Sequence, residues 1–399
     1  MLNSFLKYFS SSIIVLLISV FSFSYMTSVL SPEQYGELGL LLSLFSLLIP
    51  IVSLSANELL QVQFIKMEEG EYSKFYTSLL ILILILTLLV YIVMFIVYQI
   101  YEFNYLVFLV PLLCLSRSIK MYAFLDMVIK KLPGLYGVAN VGIAVITLMF
   151  TIVLFSDELF LVEKRVLALV IGEVVIMLYL ISRMGYRLSF GSGRRFYTKI
   201  LKYGLPGILA SLPGWVLNES GRMSLISEGY LTNAGLYTVA MQFAIIFLQF
   251  NSSLGNAIAK KVLENVVLAR SWAFNLKIYC LQIAGFFVYL LVFLLFKDIL
   301  IDVKYSGINL IFSILLLGYL FQSMALVPDM VLSYFERSDL RLVALLLSSV
   351  VTFMCNYFLI SEYKEVGGAL GLGLGFLVYS ISMHVASKYL LFVNKRTLK

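Results

Sequence analysis

The chain has 399 residues, 61% hydrophobic and 13% charged, with a mean hydropathy of +0.99 and a formal net charge of +7. Soluble domains carry about 45–50% apolar and about 25% charged residues, so this composition excludes a water-soluble enzyme. A single histidine, His384, excludes a multi-histidine metal site, and Cys114, Cys280 and Cys355 lie far apart in apolar runs, as small core side chains do.

Twelve apolar windows succeed one another between short polar breaks. They run 11–30, 36–58, 77–98, 104–124, 134–155, 166–183, 204–224, 234–257, 276–296, 307–328, 341–360 and 366–389. The first has no A-x-A-like cleavage site behind it and is read as an uncleaved helix. No G-x-x-x-x-G-K-[ST] stretch is present to cradle a nucleotide. The expected fold is an all-α polytopic membrane protein of about twelve transmembrane helices.

The basic residues decide the orientation. One alternating set of loops holds 23 of the 29 lysines and arginines, the other holds five, and Arg222 stands apart near a helix end. That asymmetry places both termini in the cytoplasm and explains the positive charge without nucleic acid.

The chain also repeats itself. Leu6-Lys7-Tyr8 recurs as Leu201-Lys202-Tyr203, while Gly36, Ser43, Pro50 and Asn57 match Gly235, Gln242, Gln249 and Asn256 at an offset of 199. The expected organisation is a six-helix bundle over 1–182, a basic cytoplasmic linker over 183–202 and a second six-helix bundle over 203–399. An even number of helices per copy makes the two bundles parallel repeats, expected around a central cleft that opens alternately to each side.

A charge at the bilayer centre costs about 2.5–3.5 kcal/mol on insertion scales, so polar residues within the windows are the informative ones. In the second window Asn57 and Glu58 close the helix, at the expected cytoplasmic mouth. In the fourth, Arg117 and Lys120 either snorkel to the inner interface or attract an anionic headgroup. In the sixth, Glu173 is the mid-membrane carboxylate, either a proton or ion coupling site, a partner for a cation in the cleft, or half of a structural ion pair.

The seventh window carries Pro206 and Pro213, expected kinks for a gating helix or for fixed packing, then Asn218, Glu219 and Arg222. Glu219 and Arg222 are three apart and can pair locally. In the eighth, Gln242, Gln249 and Asn256 are spaced by seven, nearly two turns at about 100° per residue. They form either a polar cavity wall or amide glue between helices. In the twelfth, Gly367, Gly371 and Gly375 form a packing face, and His384 reads as structural.

Three stretches bear a resemblance to a known family. Leu30-Ser31-Pro32-Glu33-Gln34-Tyr35-Gly36 resembles the L-S-P-E-x-Y-G signature of Wzx-type O-antigen and polysaccharide flippases. The L-K-Y-G-L-P of 201–206, the G-W-V-L-N of 214–218 and the G-L-Y of 235–237 are similar to that family's seventh-helix region. Phe335-Glu336-Arg337, with the apolar run to Asn356, is similar to its eleventh helix. One departure is Gly221, where the family often has Asp before the arginine; Glu219 is the nearest carboxylate.

The resemblance implies the multidrug/oligosaccharidyl-lipid/polysaccharide exporter fold in the bacterial inner membrane. It implies an undecaprenyl-pyrophosphate-linked oligosaccharide as substrate, membrane lipid around it, and work alongside polymerase and chain-length machinery. It implies no enzyme activity and no cofactor, with proton or sodium coupling left open. The amides suit sugar hydroxyls, and Arg117, Lys120 and Arg222 suit a pyrophosphate. The rivals are a cation-coupled multidrug antiporter of the same superfamily, a lipid II flippase, and, from another class, a membrane polysaccharide polymerase or acyltransferase. The external breaks are too short for the polymerase, and the acyltransferase would want a buried histidine.

Overall fold

Helix α2 (Pro32–Val52) starts at a reciprocal capping box. The Ser31 amide donates to Gln34 Oε1 at 2.9 Å and the Gln34 amide donates to Ser31 Oγ at 3.2 Å, with Pro32 at the first helical position where its missing N–H costs nothing. Similar local chemistry punctuates the rest of the computed structural model, which describes residues 2–56, 59–60, 63–64, 67–101, 108–130, 132–156, 159–184 and 194–394.

The order is α1 (Leu2–Val29), α2, α3 (Glu69–Tyr101), α4 (Leu109–Ile129), α5 (Pro133–Leu154), α6 (Leu161–Met184), α7 (Arg194–Ser227), α8 (Leu231–Ala244), α9 (Phe247–Glu264), α10 (Trp272–Leu300), α11 (Ile308–Met324), α12 (Leu326–Tyr334) and α13 (Ser338–Val393). No strand occurs among the described residues.

Gly229 ends α7 in a left-handed conformation at φ 79°. Around it the Tyr230 amide donates to the Leu225 carbonyl and the Gly229 amide to that of Ile226, a Schellman close that a glycine makes at least cost. The break between α11 and α12 falls at Ala325, just after Met324, to whose carbonyl the ring nitrogen of Pro328 cannot donate. α13 is two arms joined at Lys364, which leaves the helical region at φ 47°. The arms pack on the glycine face: a Cβ on Gly371 would strike the Asn356 amide, and one on Gly375 the Thr352 hydroxyl.

Among the described residues nine helices are long and apolar enough to cross a membrane, and the protein is a multi-pass all-α membrane protein. The figure of twelve is approximate. The last of the nine contains both arms of α13, the apolar part of α1 is shorter (Ile13–Val29), and α4 carries Arg117, Lys120 and Asp126.

The helices pack as two compact units, one of Met1–Leu30 with Leu41–Leu212 and one of Ser31–Leu40 with Pro213–Lys399. These limits differ from the organisation expected from sequence at three segments: the expected linker over 183–202 falls in the first unit, and its residues 194–202 are the first turns of α7. Residues 31–40 go with the second unit because α2 starts against α8, and residues 203–212 go with the first because Gly204 and Gly207 lie on the turn at Leu54 and Ser55. That turn is backbone-strained, with both residues at positive φ.

In the first unit α5 packs on α1 and α6, and α4 packs on α6 around Ala123, Met127, Ala139, Ile176 and Leu180. In the second, α11 packs on α8 and α13. There the starts of α2 and α8 cross reciprocally: a Cβ on Gly36 would strike the Leu231 carbonyl, and a Cβ on Gly235 the Pro32 carbonyl. Thr232 Oγ1 donates to Glu33 Oε1 at 3.3 Å, again 199 residues apart.

Candidate functional site

Four of the buried charges form two clusters, one in each unit; Asp126 and Arg165 are buried as well, with Arg165 Nη1 donating to Thr151 Oγ1 at 2.6 Å. In the first unit, Arg117 and Lys120 are three residues apart on α4 and so share a face. Opposite them on α6 stands Glu173. Its neighbour Gly172 lets α5 close in, for a Cβ there would strike the Thr147 hydroxyl. Arg117 Nη1 and Lys120 Nζ both donate to Glu173 Oε1, each at 2.6 Å. Glu173 Oε2 is buried with no hydrogen-bond partner among the described residues.

The exposures differ in a way that assigns roles. The side chains of Glu173 and Lys120 are 5% and 7% exposed, whereas that of Arg117 is 47% exposed. Glu173 and Lys120 therefore form the buried anchor. Arg117 spends one edge of its guanidinium on the carboxylate and keeps the rest of a planar donor fork accessible. Two cations on one carboxylate leave the cluster with one net positive charge. Such a fork suits a phosphate geometrically, where a lysine would act only as a point charge.

The second cluster lies on α7 within the second unit. Arg222 Nη1 pairs with Glu219 Oε2 at 2.9 Å and also donates to the Gly39 carbonyl at 3.2 Å, while Nη2 lies 3.4 Å from Met241 Sδ. Beside it, Asn356 Nδ2 donates to Ser220 Oγ at 2.8 Å. Tyr237 and Tyr319 are wholly buried, and neither hydroxyl has a hydrogen-bond partner among the described residues. Arg222 and Glu219 are both nearly closed to solvent, and their charges balance. This is a packed polar hub with no open donor face.

The amides do not share one helix. The eighth window divides into α8 and α9, and the backbone bonds of Ile246, Leu248 and Gln249 shorten to the third residue back. Gln242 Oε1 accepts from the Tyr35 hydroxyl at 2.8 Å, whereas Gln249 is exposed and Asn256 lies on α9. Asn218 Nδ2 donates to the Gly214 carbonyl one turn back, at 2.8 Å. α7 stays helical across both Pro206 and Pro213. Asn57 and Glu58 lie outside the described residues.

Sequence reasoning met Tyr35 and Tyr237 only as members of the motifs that carry the resemblance, and it did not single out Tyr319 or Asp126. Asp126 is fully buried and accepts from the Tyr72 hydroxyl at 2.6 Å. Its signal was Lys130 four residues later, but it fell just past the end of the fourth apolar window. His384 is held between the Ser380 carbonyl, 2.7 Å from Nδ1, and the Tyr279 hydroxyl, 2.6 Å from Nε2.

No family model matches the chain, and no curated protein matches its sequence. Solved structures match nearly its whole length. An inward-facing multidrug resistance MATE family transporter of the MOP superfamily superposes with a TM-score of 0.70 at 14% identity, over 95% of either chain. The lipid II flippase MurJ in an inward closed conformation superposes with a TM-score of 0.70 at 13% identity, over 99% of this chain and 88% of that one. The Vibrio cholerae MATE transporter VcmN gives a TM-score of 0.64 at 12% identity, over 98% and 99%. At these identities the likeness establishes the fold: the chain has the architecture of MOP superfamily transporters.

Proposed function

We propose that the protein is a flippase. It moves undecaprenyl-pyrophosphate-linked oligosaccharide repeat units from the cytoplasmic to the outer leaflet of the inner membrane by alternating access, for O-antigen or capsule synthesis alongside polymerase and chain-length machinery. The observation that carries this reading is the pair of cations on Glu173 Oε1, with Arg117 half exposed. A sugar-pyrophosphate cannot enter hydrocarbon unaided, and a positive, partly open site inside the membrane matches its charge. One structure of the same fold is that of a lipid II flippase, so the fold accommodates the movement of a lipid.

The MATE structures of the same fold favour a second reading, a cation-coupled multidrug antiporter. A carboxylate that receives a cationic drug has to be available to it. Here Glu173 and Glu219 each hold a basic side chain within 3 Å.

A clean deletion strain separates the two. For the flippase, finished lipid-linked repeat units accumulate in membrane extracts while surface polysaccharide disappears. For the antiporter, surface polysaccharide stays normal and the strain becomes sensitive to cationic drugs.

A further inference from the structure

We propose that Lys120 is a positioning residue for the headgroup: it answers the charge of Glu173, so that Arg117 receives a pyrophosphate without a proton being taken up. This role rests on the flippase reading and adds how the site meets the charge of its substrate.

Arg117 and Lys120 donate to one and the same atom, Glu173 Oε1, each at 2.6 Å. One of the two cations is enough to neutralise the carboxylate. An Arg117–Glu173 pair alone has no net charge, and a pyrophosphate brought to it meets a carboxylate beside the guanidinium. Lys120 supplies the charge that such a pair lacks, and the three groups together stay at one net positive.

Burial separates the two cations. The Lys120 side chain is 7% exposed, with Nζ 5.9 Å from the Phe124 ring centre, while that of Arg117 is 47% exposed. Arg117 is the one that can meet a headgroup, and Lys120 acts on it only through Glu173.

The surrounding helices bring no substitute. α6 packs on α4 and α5, and α5 carries no charged residue. The remaining charged residue of α4 is Asp126, which is bonded to Tyr72 and Lys130. On α6 itself Glu163, Lys164, Arg165 and Arg183 stand more than two turns from Glu173 along the helix. Arg117 and Lys120 are the charged groups that act on Glu173. Its other oxygen, Oε2, is buried with no hydrogen-bond partner among the described residues. Without Lys120, a proton from solvent on Oε2 is what restores the single positive charge, and binding then carries that proton with it.

The test is isothermal titration of the full chain in detergent with a pyrophosphate diester, farnesyl on one phosphate and N-acetylglucosamine on the other. It runs from about pH 6 to about pH 8, where a buried carboxyl can change its charge and the diester cannot. The parent is expected to bind with the same affinity throughout and with a heat independent of the buffer. Lys120→Met is expected to bind more weakly as pH rises, approaching about tenfold per unit, the slope of one proton. Its heat then changes with the buffer. Lys120→Met combined with Glu173→Gln leaves no buried charge stranded and is expected to regain binding that does not vary with pH. Proton uptake by the parent, or binding by Lys120→Met that ignores pH, overturns the proposal and leaves the flippase reading in place. Where Lys120→Met fails to fold, loss of binding in the folded double variant overturns it. A parent that binds no diester overturns both.

Discussion

Gly39 and Thr238 face each other across the start of α2 and α8, so closely that a Cβ on Gly39 would come within 2.6 Å of Thr238 Oγ1 and 3.0 Å of Arg222 Cδ. They stand at the same 199-residue offset that separates Glu33 from Thr232, so each residue meets its own counterpart in the other half of the sequence. A crossing of duplicated helices needs small residues at its centre, because lipid supplies no hydrophobic force to hold helices that touch only through long side chains. Gly39→Ala is expected to destabilise the purified protein by about 1–3 kcal/mol through overpacking. Thr238→Ala in the same chain is expected to restore most of that loss, since it removes the colliding atom. Thermal unfolding in detergent measures both, and additive losses would refute the close approach.

Glu173 is the keystone of its cluster. Replacing it with glutamine leaves Lys120 buried without a counter-charge, which costs about 3–5 kcal/mol in comparable buried pairs. The combination Glu173→Leu with Lys120→Met is expected to be markedly more stable than Glu173→Gln alone, because no buried cation is then stranded. A thermal shift of Glu173→Gln indistinguishable from the parent would show that the pair is not formed in solution.

The bond from the Tyr35 hydroxyl to Gln242 gives a third test. Tyr35→Phe is expected to cost about 1–2 kcal/mol by leaving the amide oxygen without that donor. Tyr35→Phe combined with Gln242→Leu is expected to lie closer to the parent than the sum of the single changes. Strict additivity in a double-mutant cycle would mean that the two side chains do not interact.

Much of the fold was legible in the sequence. Apolar windows gave helices, proline and glycine gave their breaks, and the 199-residue offset reappears in the packing of Gly36 on Leu231 and Gly235 on Pro32. Glu173 stood out because a carboxylate in a membrane helix is expensive. Arg117 and Lys120 stood out as well, but their pairing with it did not, because they are 56 and 53 residues away and helical periodicity says nothing about how one helix is rotated against another. The same limit hid Tyr35 from Gln242, 207 residues off. The break between α8 and α9 was not legible from the amides: seven-residue spacing is a face only if the helix is continuous, and the bonding changes between Ile246 and Gln249.

The most direct test of the flippase function is translocation by reconstituted protein. Proteoliposomes carrying the parent chain, Arg117→Ala or Arg117→Lys are loaded with fluorescently labelled undecaprenyl-pyrophosphate oligosaccharide in one leaflet, and its arrival in the other is read by a membrane-impermeant quencher. The expected result is transfer by the parent, a loss of at least about tenfold in Arg117→Ala with the protein still folded, and partial activity in Arg117→Lys, which keeps the charge but not the fork. Transfer by Arg117→Ala at the parental rate, or ion-driven uptake of cationic drugs by the parent without transfer of the lipid, would contradict it.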